Sequence, residues 1–153
     1  MEVGPLTANE WSWFLTRSME TGWEQRHPGL REESSRPQVM SNIREMVTQA
    51  LQQPGATALV ARERGQPAGY VVLTLMPDEW THDPTGLFYD IWVEPEWRGK
   101  GVATLLTRSG ENYFRSLGLK LTRRFIAAHN AASLKHARAD GCEIERLCLI
   151  KRL

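Results

Sequence analysis

The stretch Arg98-Gly99-Lys100-Gly101-Val102-Ala103 is where this sequence is best equipped to do chemistry. It lies between the apolar run LFYDIWV (87–93) and a pattern in which Val102, Leu105, Leu106, Tyr113, Phe114 and Leu117 fall on one helical face. Two glycines let the backbone approach a ligand closely. The free N–H groups of a helix start, with the positive end of its dipole, attract an anion. Arg98 and Lys100 add positive charge. The spacing is neither GxxxxGK[ST] nor GxGxxG, so neither a P-loop nor a dinucleotide fingerprint is present. Taken alone, RGKG is equally well a glycine-bearing turn with solvated charges. His27, His82, His129 and His136 lack HxxxH or HExxH spacing, and the flanks of Cys142 and Cys148 offer no activating neighbour. Neither a metal nor a cysteine nucleophile is expected.

Such a turn needs a strand before it and a helix after it, and the rest of the chain supplies a matching set. Thr7 to Glu10 forms a Thr-x-x-Glu capping box ahead of Trp11, Phe14, Leu15 and Met19, which predicts a helix to about Arg26, ended by His27-Pro28-Gly29. Val39, Met40, Ile43, Met46, Val47, Ala50 and Leu51 predict a second amphipathic helix, closed by Pro54-Gly55. TALVARE (57–63) and AGYVVLTLM (68–76), split by Arg64-Gly65-Gln66-Pro67, read as an antiparallel hairpin. A loop over 77–86 precedes the buried strand 87–93. After the helix that begins at Val102 and closes at Gly118, a strand at about 121–128 is expected parallel to 87–93. A short helix follows from His129-Asn130 to Asp140, and EIERLCLIKRL (143–153) alternates enough to be a final strand. The fold class is α/β, a mixed sheet flanked by helices.

The 153 residues, 41% of them hydrophobic, match one domain over 1–153. No apolar run approaches the roughly 18 residues of a membrane span, and MEVGPLTANEW has no leader pattern, so membrane insertion and secretion are not expected. On one strand Cys142 and Cys148 would stand about 20 Å apart and could not bridge, which suits a reducing cytoplasm. The net charge of +1 hides segregation: residues 1–97 hold 7 Lys+Arg against 14 Asp+Glu, residues 98–153 hold 12 against 4. The basic part suits an anionic ligand and the acidic part a cationic one. No stacking aromatics interleave with the basic residues, so a nucleic-acid partner is not expected.

The run Ile91-Trp92-Val93-x-Pro95-x-Trp97-Arg98-Gly99-Lys100-Gly101-Val102-Ala103-x-Leu105-Leu106 resembles the acyl-coenzyme A pyrophosphate motif of the GNAT N-acetyltransferase superfamily. Asn130, Ser133, Leu134 and Gly141 resemble that family's Asn-x-x-(Ala/Ser)-Ile-x-x-Tyr-x-x-x-Gly-Phe helix at matching spacing. With the leading helices and hairpin in place, the resemblance covers essentially the whole chain. It implies a GNAT-type mixed sheet with a splayed parallel strand pair at the cofactor site, and acetyl-CoA as cofactor. Backbone N–H groups of Arg98, Gly99, Lys100, Gly101, Val102 and Ala103 would hold the pyrophosphate. The pantetheine arm would pair with the edge at Ile91, Trp92 and Val93 as an added strand does. Asn130 and Ser133 would contact that arm or its phosphates. A homodimer is common in the family, and no residue here decides it.

The reaction so implied is direct attack of an amine on a thioester. An alkylamine has a pKa of about 10.4 and must lose a proton to attack, so Asp90 and Glu94, beside the splay, are the candidate bases, with Tyr89 and His82 as weaker options. A backbone N–H at Val93 would stabilise the oxyanion, a contribution of about 3 kcal/mol. One departure stands out. Where many members carry the tyrosine that protonates the departing thiolate, this chain has Ala137; Cys142 and Arg124 also replace residues usual for the family. Three readings follow. His136 or Tyr113 could substitute, although His136 points about 100° away from Ala137. No acid is needed, since a thiol of pKa about 8.5 leaves readily. Or the chain binds acyl-CoA as a sensor and catalyses poorly. The second is favoured.

By the family layout the acceptor enters between His27–Pro37 and Pro77–Gly86, where Glu32, Glu33, Asp78, Glu79, Asp83, Trp23 and Trp80 lie. Acid with aromatic suits a cation, so a small cationic amine is expected, with a protein lysine or N-terminus as the alternative.

Overall fold

The computed structural model describes residues 1–153. Strand β1 (Glu2–Pro5) leads through a 3-10 turn into helix α1 (Trp11–Gln25), a short α2 (Pro28–Arg31) and α3 (Arg36–Leu51). The strands β2 (Thr57–Glu63), β3 (Gln66–Pro77) and β4 (Pro84–Val93) follow, then α4 (Val102–Ser116), β5 (Thr122–Arg124) and α5 (Ala131–Ala139). The sheet order is β1-β2-β3-β4-β5, with only β4 and β5 parallel. This is the α/β mixed sheet flanked by helices that the sequence implies. No helix is long and apolar enough to cross a membrane.

Strand alternation sorts the core into two layers. Tyr70 and Val72 face α1 and α3 with Phe14, Leu15, Val47, Ala58 and Val60. Val71 and Leu73 face α4 with Phe88, Val102, Leu106 and Phe114. The two helices predicted in the first fifty residues form because each carries one apolar stripe, and Ser35 caps α3 by accepting from the Gln38 N–H. Arg64 (φ 49°) and Gly65 (φ 77°) make the two-residue hairpin turn, whose left-handed backbone conformation matches the right-handed twist of the flanking strands, so Gln66 and Pro67 belong to β3 rather than to the turn.

Four expectations change. The loop expected over 77–86 shrinks to 78–83, because β3 and β4 keep pairing as far as Pro77 opposite Pro84. The chain 143–153 is not a strand: it forms no ladder, and every residue in it is exposed. Its alternation lacks a partner, because no sheet edge hydrogen-bonds to it. Arg123 holds Glu145 (2.8 Å), Arg146 holds Glu79 (2.5 Å) and Arg152 holds Glu33 (2.6 Å), so side chains rather than backbone fix its path. Cys148 is accordingly exposed and off any strand, and Cys142 half-buried. The strand expected over 121–128 pairs only at 122–124. And β1, unforeseen, pairs along β2 from Glu2 opposite Arg62 to Pro5 opposite Leu59. Arg62 secures it, bonding Glu10 through Nε (2.6 Å) and the Pro5 carbonyl through Nη2 (2.8 Å).

Candidate active site

β4 and β5 run together only where Gly86–Phe88 face Thr122–Arg124. Beyond Phe88 the outer edge of β4 has no strand partner, and a cleft opens there. Thr21 and Gln25 of α1, Tyr89, Asp90 and Ile91 of β4, Thr107 of α4, and Ser133 and His136 of α5 line it, with Arg124, Phe125 and Ile126 beyond.

A bulge decides what faces this cleft. Val72 pairs with Asp90 but Leu73 pairs with Phe88, which leaves Tyr89 as the extra residue. Regular alternation would put Phe88 and Asp90 on one face. The bulge instead leaves Phe88 in the α4 layer and turns Asp90 to the α1 side. There Asp90 Oδ2 accepts hydrogen bonds from Tyr70 OH (2.7 Å) and Ser18 Oγ (2.8 Å). Burial raises its pKa from 3.8 to about 6, against the opposing pull of those two bonds and the Ile91 N–H. Burial first, and then the nearby Asp90 charge, push Tyr70 and Tyr89 upward, so both phenols stay protonated.

Glu94, the other expected base, is placed differently. It is 6% exposed and does not line the cleft. Its Oε1 accepts from Trp13 Nε1 (2.6 Å) and Arg17 Nε (2.7 Å). Burial pushes its pKa up, but the bonds from Arg17 and Trp13 and the Arg17 charge outweigh that and hold it below the ordinary value. Such a carboxylate is a poor proton acceptor.

At the head of α4, Gly101 caps the helix with φ 82° and Gly99 has φ 72°, a region that disfavours any side chain. A Cβ at either would meet nothing within 4 Å, so the backbone here borders open space. The first turn of α4 holds no acidic residue. Its leading N–H groups have no intrahelical acceptor, and Leu105 N to Gly101 O (3.0 Å) is the first bond of the helix. Arg98 folds back, its Nε on the Val93 carbonyl (3.0 Å) and its guanidinium 4.7 Å from the Trp92 ring centre. Lys100 lies 5.0 Å over Trp97. A diphosphate fits this glycine cradle, and an extended amide chain fits the open edge at Ile91, Trp92 and Val93.

On the far wall Asn130 Oδ1 accepts from the Ser133 N–H (3.1 Å), capping α5. Ser133 and His136, three residues apart, share the face that lines the cleft. Ala137 is 6% exposed and off that lining. Tyr113, a suggested substitute acid, is excluded by place: its hydroxyl donates to Gly55 O (2.9 Å) and its ring packs in the α4 layer.

The acidic loops expected to receive a cation are largely engaged. Asp78 pairs with Arg123 (2.6 Å), Glu79 with Arg146 and Glu33 with Arg152, while Arg36 lies 5.6 Å over Trp23. Sequence reasoning missed Ser18, Thr21, Tyr70 and Thr107. A signal existed for the first two: they are polar, yet they sit four and seven residues after Phe14 on the buried stripe of α1.

A strand that parts from its parallel neighbour beside a glycine-led helix is the geometry the motifs at 91–106 and 130–141 imply. The model of the acetyltransferase (GNAT) family matches residues 12–143, and the chain belongs to that family. A mycothiol acetyltransferase of Nocardiopsis dassonvillei is 32% identical over 53 residues, 35% of this chain; the match spans only 16% of that relative's length. Among solved structures, a Pyrococcus furiosus protein described as an acetyl transferase superposes with a TM-score of 0.81 at 21% identity, over 99% of this chain and all of that one. An aminoglycoside N-acetyltransferase in complex with CoA gives 0.68 at 17% identity, over 99% and 98% of the two chains.

Proposed function

We propose that this protein moves an acetyl group from acetyl-CoA to a primary amine. The observation that carries the reading is the open edge of β4 at 89–93, beside the glycine-led start of α4, with Asp90 on the same wall. Bound there, acetyl-CoA supplies the thioester that the amine attacks. N–H groups of residues 98–103 hold the pyrophosphate, aided by Arg98 and Lys100. Ile91, Trp92 and Val93 present backbone groups to the pantetheine arm, and Arg98 must release the Val93 carbonyl to open that track. Ser133 meets the arm from α5. Asn130 spends its carbonyl on the cap and keeps its amide N–H2 for the cofactor.

Asp90 takes the amine proton. With a pKa of about 6 it is ionised at neutral pH yet basic enough to accept a proton, whereas Glu94 is held ionised by Arg17. Glu94 therefore positions α1 against β4 rather than acting as the base. The acceptor we favour is a small cationic amine, in keeping with the aminoglycoside and mycothiol acetyltransferases among the similar proteins. Glu32 and Asp83 are the loop acids without an ion pair, and they would read its charge.

The test is coenzyme A release from acetyl-CoA across polyamines, aminoglycosides, amino acids and lysine peptides, beside calorimetric titration of acetyl-CoA. Release with one amine class names the acceptor, and release with lysine peptides alone moves it to protein. Binding without release makes the chain a sensor, and no binding refutes the reading.

A further inference from the structure

We infer that His136 is the group that gives the departing thiolate its proton. The inference rests on the acetyl-transfer reading above. It replaces the idea, drawn from helix azimuth alone, that a neighbour of Ala137 must point away from the site. The azimuth is right and the reference is wrong: α5 turns Ser133 and His136 to the cleft and packs Ala137 inward. His136 Nε2 lies 3.2 Å from Thr107 Oγ1, and Thr107, 1% exposed on α4, makes no other side-chain hydrogen bond. That single contact fixes the imidazole. The Nδ1 atom has no partner in the protein and is not among its buried unpaired atoms. Asp90 lines the same cleft from β4. A proton acceptor and a proton donor thus face one space from opposite walls, the donor anchored to the helix whose first turn offers its N–H groups to the pyrophosphate.

Imidazole is the side chain that takes and gives protons near neutral pH, and it donates well only when both nitrogens carry hydrogen. With Nε2–H given to the Thr107 oxygen, Nδ1–H is the one left to donate. The ammonium first gives one proton to solvent; the free amine nitrogen then bonds to the thioester carbon and its second proton passes to the Asp90 carboxylate. The carbon–sulfur bond breaks, its electron pair stays on sulfur, and the sulfur takes the Nδ1 proton. Amide and free thiol leave; Asp90 then loses a proton to solvent and His136 regains one. The net change is one proton moved from nitrogen to sulfur and one released to solvent. No step needs a further reactant.

The deciding variant is His136→Gln, whose amide can still bond Thr107 but is no acid. We expect kcat with acetyl-CoA and the accepted amine to fall at least about 100-fold, the low end for losing a general acid, with KM for acetyl-CoA within about threefold. Calorimetric affinity for acetyl-CoA should be unchanged. Nitrogen NMR of the unaltered protein should show one imidazole Nδ1 signal that moves on adding coenzyme A and is missing from the variant. An unchanged kcat, a rise in KM alone, or imidazole signals that ignore coenzyme A would each overturn the assignment. Should His136→Gln not fold, Thr107→Val removes the anchor at nearly constant volume. It should cost about tenfold in kcat with KM held, and undiminished turnover there overturns the proposal as well. Absence of binding or turnover in the unaltered chain refutes the acetyl-transfer reading itself, whereas turnover indifferent to His136 refutes only this assignment.

Discussion

At Asp90, stability and the proposed chemistry pull in opposite directions. A carboxylate buried against a phenol and a hydroxyl is held in its charged form at neutral pH only at a cost, since the pKa has moved from 3.8 to about 6. The folded state binds the proton more tightly than the unfolded chain between those values. The stability this gives is complete below 3.8 and is lost as pH rises through about 6, a swing of about 3 kcal/mol by linkage. Asp90→Asn keeps an acceptor for Ser18 and Tyr70 and removes the charge. It should lower turnover at least about 100-fold while raising the melting temperature at pH near neutral. The difference in melting temperature should shrink in acid below the carboxylate range. A variant less stable than the parent at neutral pH would contradict the burial argument. Asp90 was legible in the sequence as an acid beside an expected splay. Its partners were not, because Ser18 and Tyr70 lie 72 and 20 residues away and only the bulge at Tyr89 turns Asp90 toward them.

Among the elements, α4 heads the proposed cofactor site, and two glycines of opposite surroundings test that placement. Gly101 borders open space, so Gly101→Glu meets no steric block; it strains a left-handed backbone and puts a negative charge where phosphates are expected. Acetyl-CoA binding should vanish in calorimetry while the fold survives with a loss of about 1–2 kcal/mol. Gly110 faces inward, where a Cβ would come within 2.6 Å of Phe88 Cε1 and 2.9 Å of Leu73 Cδ2. Gly110→Ala should cost about 1–3 kcal/mol in denaturant unfolding by overpacking. The helices and the β2–β3 hairpin were readable because each carries its own periodicity and end signals. β1 was not: four residues with a glycine and a proline hold no pattern, and they become a strand only because β2 offers an edge and Arg62 ties them to it. The 143–153 segment errs the other way. Alternation marks a strand only where a partner exists, and partners are a tertiary fact.

For the whole molecule, part of the charge asymmetry between residues 1–97 and 98–153 is neutralised internally, at the loops 27–37 and 77–86. Arg123, Arg146 and Arg152 from the basic part sit on Asp78, Glu79 and Glu33 from the acidic part. The Arg146 and Arg152 pairs are more than half exposed and hold little energy. Replacing both arginines by alanine should shift the unfolding midpoint little, yet free two acids at the loops. KM for a polyamine should then fall, while KM for acetyl-CoA stays put; equal changes in both would sink the idea that these loops read the acceptor. A different consequence attaches to the edge of β4 at 89–93. An unpaired strand edge is what recruits foreign strands and seeds aggregation, and proteins guard such edges with charge. Arg98, clasping the Val93 carbonyl, places a charge on that edge. An Arg98→Ala preparation should therefore cloud sooner on storage than the parent, and saturating acetyl-CoA should protect it if the cofactor fills this edge as proposed.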